Sequence, residues 1–380
     1  MPADALEQYL RDLRDIHSSG AGVKETSYYG RLENLLNAVG AGLKPKVKAI
    51  IHLTNKGAGI PDGGLFTSDQ FERGQSEPQK GQPPARGAIE IKGTSEDLQK
   101  LAKSKQVSAY LAQYGTLLIT NYRDFLVIAR QADGAAKQLE GYSLASTEQA
   151  FWAEVSDPHT LAQRHSGRFE EFLERAMLHN APISDPADLA WFLASYAREA
   201  KSRVAQASNL NALKGVRKAL EDGLGINFDG AKGEQFFQST LVQTLFYGLF
   251  SAWVLWNDSH GDADEFDWKN AGWELHIPVM SELFHQLSNP RQLQALGLVE
   301  IMGWAISSTA SSKPSSSNAS SLKRPCGTFT SRFSRRSTRS YASNLAFGTR
   351  RTKSWSTWSS AWTDPCAMTL GLHWAWRMKT

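Results

Sequence analysis

Cysteine is nearly missing from this 380-residue chain: only Cys326 and Cys366 are present, and everything before them lacks the thiols for a disulfide framework or a cysteine zinc site. A reducing cytoplasm fits that usage. No secretory signal is visible, because Met1–Asp15 alternates acid and base without an apolar core. His159, His165 and His179 show no metal-ligand spacing and read as surface or satisfied core residues. Gly57 and Gly59 are not followed by a G-x-G-x-x-G pattern or a helix start, which excludes a phosphate cradle there. One stretch, Phe236–Trp256, lacks charge and is long enough to cross a bilayer. It contains Gln238, Ser239, Thr240, Gln243, Thr244 and Ser251, so the expectation is a buried helix and no membrane partner.

Net charge is also small, +4 from 42 Lys/Arg and 38 Asp/Glu, and its distribution is uneven. Residues 307–380 carry 12 Lys/Arg against one acid, Asp364, whereas residues 1–306 carry 30 against 37 and are net −7. Basicity of the whole chain is therefore no argument for nucleic-acid binding. The length leaves room for two or three domains, each able to bury its own core.

The pattern that is present begins with helices. Leu6, Leu10, Leu13 and Ile16 recur at helical spacing over Ala3–His17, and a second helix starting near Thr26 carries Leu32, Leu35, Leu36 and Val39 on its core face. Glu33 lies off that stripe, as either a solvated helix acid or a site residue. Val47–Thr54 reads as a strand, and Gly57 and Gly59 supply the turn that delivers Asp62 after Pro61. Thr67–Arg86, rich in Gly, Pro and Gln, reads as an exposed, solvated hairpin loop. A second apolar run, Ala88–Ile91, contains Glu90 and leads to Lys92. Two apart on a strand, Glu90 and Lys92 share a face while Ile91 points the other way. Alone, such a triplet describes a solvated strand face. Ser95–Ala112 reads as a helix with Gln106 and Tyr110, four apart, on one side. Gly115–Asn121 and Phe125–Arg130 form two adjacent strands. The order is that of a mixed sheet flanked by helices, ending near Ser146.

Pro61-Asp62, a spacer and Glu90-Ile91-Lys92 resemble the PD-(D/E)xK nuclease superfamily, and Gln106 with Tyr110 downstream resembles its RecB-like branch. The resemblance implies an α/β restriction-endonuclease-like domain over residues 1–146, acting on double-stranded DNA with Mg2+. Such hydrolysis uses a divalent cation to neutralise the scissile phosphate and to lower the pKa of a water. Magnesium prefers hard oxygens, which Asp62, Glu90, the Ile91 carbonyl and, from the helix after Thr26-Ser27-Tyr28-Tyr29, Glu33 would supply. Lys92 would hold the water, and Gln106 and Tyr110 would orient Lys92 or a phosphate.

From Glu148 to Ala305 strand signals fade. Phe169, Phe172 and Leu173, then Leu189, Phe192, Leu193 and Tyr196, recur as core stripes of long helices. This region, residues 147–305, reads as a helical connector. Asp188-Leu189-Ala190-Trp191 and the run Gln238–Phe250 resemble the segment joining nuclease to methyltransferase in type IIG and type ISP restriction-modification enzymes. In those enzymes an N6-adenine DNA methyltransferase using S-adenosylmethionine comes next. Neither the F-x-G-x-G cofactor loop nor the N-P-P-Y or N-P-P-F tetrapeptide is present here, and Asn289-Pro290 continues as Arg291-Gln292. S-adenosylmethionine is thus expected only of an intact homologue. A non-catalytic DNA-binding remnant is the alternative in which the nuclease motif survives without turnover.

Residues 306–380 turn rich in Ser, Arg, Thr and Trp, a composition that cannot bury enough surface to offset chain entropy, so disorder is expected. Disordered tails are poor in tryptophan, yet Trp355, Trp358, Trp362, Trp374 and Trp376 are here. Codons can be chosen for Arg339–Trp362 so that the adjacent frame spells PELRKQLGVWYTPNEVVEYMVERV, and for Thr328–Thr338 so that it spells FYEPFLEAFD. Both strings resemble the start of the family's methyltransferase domain. The expectation is a frameshift after about residue 305. Sequencing the gene should show a methyltransferase continuing one nucleotide out of phase, and limited proteolysis should trim the chain to a core ending near Ala305. Stop codons in the adjacent frame ahead of a G-V-W-Y-T-P string would end that reading.

Overall fold

The computed structural model describes residues 4–20, 25–52, 60–79, 81–130, 134–179, 186–206 and 212–259, with scattered positions between 293 and 303. The tail from 304 onward, with its expected disorder and frameshift, and the turn glycines Gly57 and Gly59 lie outside those residues. The chain divides into two compact units, Met1–Ala181 and Pro182–Thr380.

The first unit starts with α1 (Asp4–Ser18), whose stripe Leu6, Leu10 and Leu13 is fully buried. A 3-10 turn at Glu25–Tyr28 leads into α2 (Tyr29–Gly40), which buries Leu32, Leu35, Leu36 and Val39. Six strands follow: β1 (Val47–Ile51), β2 (Gly63–Thr67), β3 (Ala88–Ile91), β4 (Thr116–Thr120), β5 (Asp124–Arg130) and β6 (Ala136–Ser143). They form one sheet in sequence order, antiparallel except for the parallel pair β3–β4. A parallel pair needs a crossover, and α3 (Leu98–Leu101) with α4 (Lys105–Tyr114) provides it. The single helix expected over Ser95–Ala112 is thus two, because the Ser104 hydroxyl caps α4 at Val107 N–H and starts the chain afresh.

The two sheet faces have separate cores. Ile89, Ile91, Leu118, Phe125 and Val127 pack with α1 and α2, while Ala88, Leu117, Ile119, Leu126 and Ile128 pack with Val107 and Leu111 of α4. Strand alternation therefore turns Glu90, like Ala88, toward α4. The unit does not stop near Ser146. Helices α5 (Glu148–Val155) and α6 (Pro158–Leu178) belong to the first core through Phe151, Val155, Leu161, Phe169, Phe172 and Met177.

The segment between β2 and β3 is also more ordered than a solvated hairpin loop. Buried Gln70 accepts from Thr67 N and Ala85 N and donates to Pro83 O, tying both ends of the loop together. Gly64 is required beneath it, since a Cβ there would lie 2.8 Å from Pro84 Cβ.

The second unit holds α7 (Pro186–Gln206), α8 (Ala212–Leu224) and α9 (Gly230–Ser259). The uncharged run falls within α9, where Phe237, Leu241, Leu245, Phe246 and Leu249 are buried. Among the described residues no helix is long and apolar enough to cross a membrane. Arg217 joins α8 to α9 by bonding Glu234 and lying 4.4 Å over the Phe237 ring.

Helix α6 and the residue after it carry opposed titrations. Burial, then Glu170 and Glu171, push the Glu174 carboxyl up to about 7, and burial pushes His179 down to about 4. The unfolded chain releases the Glu174 proton first as pH rises, so this group costs stability between its unfolded and folded values. His179 works in the opposite sense, adding stability as pH climbs from its folded toward its unfolded value. Glu174→Gln keeps the neutral form permanently. Thermal melts should show the variant above wild type at about pH 8 and level with it at about pH 4; equal gains at both would contradict the burial argument.

Candidate active site

Asp62, Glu90 and Lys92 come together because β2 and β3 are neighbours. Gly63 pairs with Ile89, so Asp62, one residue earlier, sits beside the Glu90–Ile91 peptide. Its carboxylate Oδ2 accepts the Ile91 N–H at 2.8 Å. Its backbone is fixed as well, with the Asp62 carbonyl accepting the His52 N–H at 2.8 Å. Gly63 permits this approach, for a Cβ there would meet Ile50 O at 2.6 Å. Lys92 continues the β3 line by donating its N–H to Thr120 O at 2.9 Å.

On the α4 face, Lys92 Nζ donates to Glu90 Oε1 at 2.5 Å and to the Ile91 carbonyl at 3.1 Å. Gln106 also reaches this carboxylate, its Nε2 donating to Glu90 Oε1 at 2.9 Å and to the Tyr110 hydroxyl at 3.0 Å. The Tyr110 hydroxyl donates in turn to Ile60 O at 2.9 Å, just ahead of Pro61-Asp62. Gln106 and Tyr110 thus brace Glu90 and the Asp62 arm together; neither bonds Lys92.

Glu90 is only 2% exposed. Burial raises its pKa, the Lys92 ammonium opposes that, and the negative charges of Asp62 and Glu25 add to the rise. For Lys92, burial works against the ammonium, but the Glu90 hydrogen bond and the charges of Glu90, Asp62 and Glu25 outweigh it and hold it above its usual range. Lys92 is therefore a cation at neutral pH.

These residues also suit a hard divalent cation. Glu90 Oε1 and Ile91 O converge on one positive charge, which the Lys92 ammonium supplies, and Asp62 lies beside them. Glu90 Oε2 accepts no hydrogen bond among the described residues, so this carboxylate retains donor capacity for a metal. The set consists of two carboxylates and a carbonyl; no group of three or more His, Cys, Asp or Glu side chains able to hold an ion occurs among the described residues. Glu33 is not brought into the network. It is half-buried on α2 between Tyr29 and Asn37 and makes no hydrogen bond or ion pair among the described residues.

Three further residues are built into the site without a motif to announce them. The Tyr29 hydroxyl lies 2.9 Å from Asp62 Oδ1 and 3.1 Å from Glu25 Oε1. Burial foremost, then the negative charges of Asp62 and Glu25, raises the Tyr29 pKa far above neutrality. Tyr122, fully buried in the β4–β5 turn at φ +70°, donates its hydroxyl to Glu25 O at 2.7 Å. A bulky residue at positive φ is a costly conformation. Its spacing signature in the sequence is only that of a turn, although Tyr28-Tyr29 ahead of a helix is a faint cue.

No family model matches the chain, and no curated protein matches it. A solved structure titled "cryoEM structure DrdV-DNA complex" is similar to it at TM-score 0.29 and 16% identity, over 90% of this chain and 29% of that one. The chain thus spans less than a third of that protein's length.

Proposed function

We propose that the first unit is a Mg2+-dependent DNA endonuclease of the PD-(D/E)xK kind, belonging to a cytoplasmic restriction-modification enzyme. The observation that carries this is the meeting of Asp62, Glu90 and Lys92 around the Ile91 peptide, with hard oxygens turned toward a shared positive charge. The restriction-modification context rests on the likeness of the segments Asp188–Trp191 and Gln238–Phe250 to the connector of such enzymes.

Asp62, Glu90 and the Ile91 carbonyl would hold the cation, which when bound neutralises the scissile phosphate and acidifies a water. The chain's own groups do the rest. Lys92, displaced from Glu90 Oε1, keeps its ammonium within reach of the attacking water and donates hydrogen bonds to it and to phosphate oxygens. Water oxygen bonds to phosphorus as the P–O bond to the leaving sugar oxygen breaks; the water gives up one proton to bulk solvent, since Lys92 is already protonated, and the leaving oxygen takes one from solvent. Gln106 and Tyr110 keep Glu90 and the Asp62 arm in register so that no reorganisation is needed during the step. A methyltransferase activity is not expected of this chain.

Purified full-length protein with Mg2+ should cut double-stranded DNA, and Asp62→Asn or Lys92→Ala should each slow cutting by about a thousandfold or more, several kcal/mol of barrier, while the fold survives. Cutting at an unchanged rate by both variants, each confirmed folded, would falsify the assignment.

Lys100, Lys103 and Lys105 bear on the DNA partner. They are exposed around the α3–α4 joint, directly before Gln106, and form no ion pair among the described residues. Replacing all three by Ala should weaken binding to double-stranded DNA of any sequence. The slope of log affinity against log salt should become shallower by about 0.9 for each phosphate that is no longer neutralised. An unaltered slope would place the DNA backbone elsewhere.

A further inference from the structure

The Tyr29 phenol is caught between two carboxylates, at 2.9 Å from Asp62 Oδ1 and 3.1 Å from Glu25 Oε1. A phenol carries one proton, and ionised carboxylates only accept. At any moment one of the two contacts is a hydrogen bond, and the other sets a carboxylate oxygen against phenol lone pairs. The arrangement is one proton short.

Neither partner escapes easily. Asp62 is pinned through its other oxygen by the Ile91 N–H at 2.8 Å, and its carbonyl by the His52 N–H at 2.8 Å. Glu25 is pinned through its backbone by the Tyr122 hydroxyl at 2.7 Å, and Tyr122 is itself held by the Tyr9 hydroxyl on its carbonyl at 3.0 Å and by Thr120 Oγ1 on its N–H at 3.0 Å. Tyr29, 5% exposed, has the His52 ring 4.8 Å from its own. When its proton is committed to Asp62, that carboxylate is held at both oxygens. When the proton turns to Glu25, Asp62 keeps only the Ile91 bond and is free to rotate off it.

We propose that Tyr29 is the positioning residue that sets the orientation of the Asp62 carboxylate, and that Glu25 tunes it by competing for the same phenolic proton. This rests on the nuclease reading, in which Asp62 is a cation ligand. Partners that orient a metal-binding carboxylate from behind commonly change metal affinity by about 10–100-fold when removed. The two substitutions should act in opposite directions. Tyr29→Phe removes the phenolic donor at Asp62, whereas Glu25→Gln brings in an amide N–H that donates to the phenol oxygen and leaves its proton to Asp62.

The test is calorimetric titration of the full chain with Mn2+ alone, without DNA, for wild type, Asp62→Asn, Tyr29→Phe and Glu25→Gln, with melting curves to establish folding. Expected are measurable binding by wild type, its loss in Asp62→Asn, binding about tenfold weaker in Tyr29→Phe, and binding at least as tight as wild type in Glu25→Gln. With DNA present, the rate lost in Tyr29→Phe should return at high Mn2+, and that lost in Asp62→Asn should not. Wild-type affinity in folded Tyr29→Phe overturns the inference and leaves the nuclease reading standing. Weakened binding in Glu25→Gln, like that in Asp62→Asn, overturns the competition and makes Glu25 a ligand, an outcome readable even if Tyr29→Phe does not fold. Absence of any Mn2+ binding by folded wild type overturns both.

Discussion

The Ile91 amide and the Asp62 carboxylate are 2.8 Å apart, and through that hydrogen bond two strands share one site. It depends on β2 and β3 being adjacent and antiparallel, with Gly63 opposite Ile89. Slipping the register by one residue would turn Glu90 into the α1–α2 core and Ile91 toward α4. Both faces forbid it. Ile89 and Ile91 are fully buried on one side, and Ala88 is fully buried against α4 on the other. Hydrophobic burial on the two faces thus sets the chemistry at the strand end.

Holding Glu90 almost out of solvent costs free energy, because an isolated buried carboxylate loses several kcal/mol of hydration. Lys92 and Gln106 offset that cost by donating to the same oxygen, Oε1. That leaves the lone pairs of Oε2 without a hydrogen bond among the described residues. Negative charge beyond Glu90 is also redundant: Asp62 and Glu25 both raise its pKa, so any added cation is attracted by more than its direct contacts. Lys92 sits in that field as the resident positive charge.

What could be read from the residues followed from local rules. Stripes at helical spacing identified α1 and α2, and strand alternation put Glu90 and Lys92 on one face. Gln106 and Tyr110, four apart, do share a helix side, since α4 is regular from Lys105 to Tyr114. Contacts across long sequence separations were not legible. Tyr29 meets Asp62 and Tyr122 meets Glu25 only after the sheet has formed, and no spacing rule encodes either pair. Helix position alone made Glu33 the natural third acid, yet the carboxylate that reaches the network, Glu25, lies in the 3-10 turn before α2. The extent of the first unit was hidden for a related reason. Helical stripes at Phe169 and Phe172 show that a helix is buried, not against which partner, and here both rings meet Phe125 of β5 edge-on.

The polar segment between β2 and β3 reads as solvated by composition, but one buried amide organises it. Gln70 uses its oxygen toward Thr67 N and Ala85 N and its nitrogen toward Pro83 O and Gln82 Oε1. A carboxylate of the same shape would keep the first two hydrogen bonds and turn the other two into repulsions between acceptors. Conversion of this one nitrogen to oxygen, the chemistry of amide ageing, would therefore loosen Gln82 and Pro83 from residue 70, while the contacts to Thr67 N and Ala85 N stay, with almost no change in side-chain volume. The lifetime of that segment's shape is tied to the hydrolytic lifetime of a single side-chain amide, which its own burial protects.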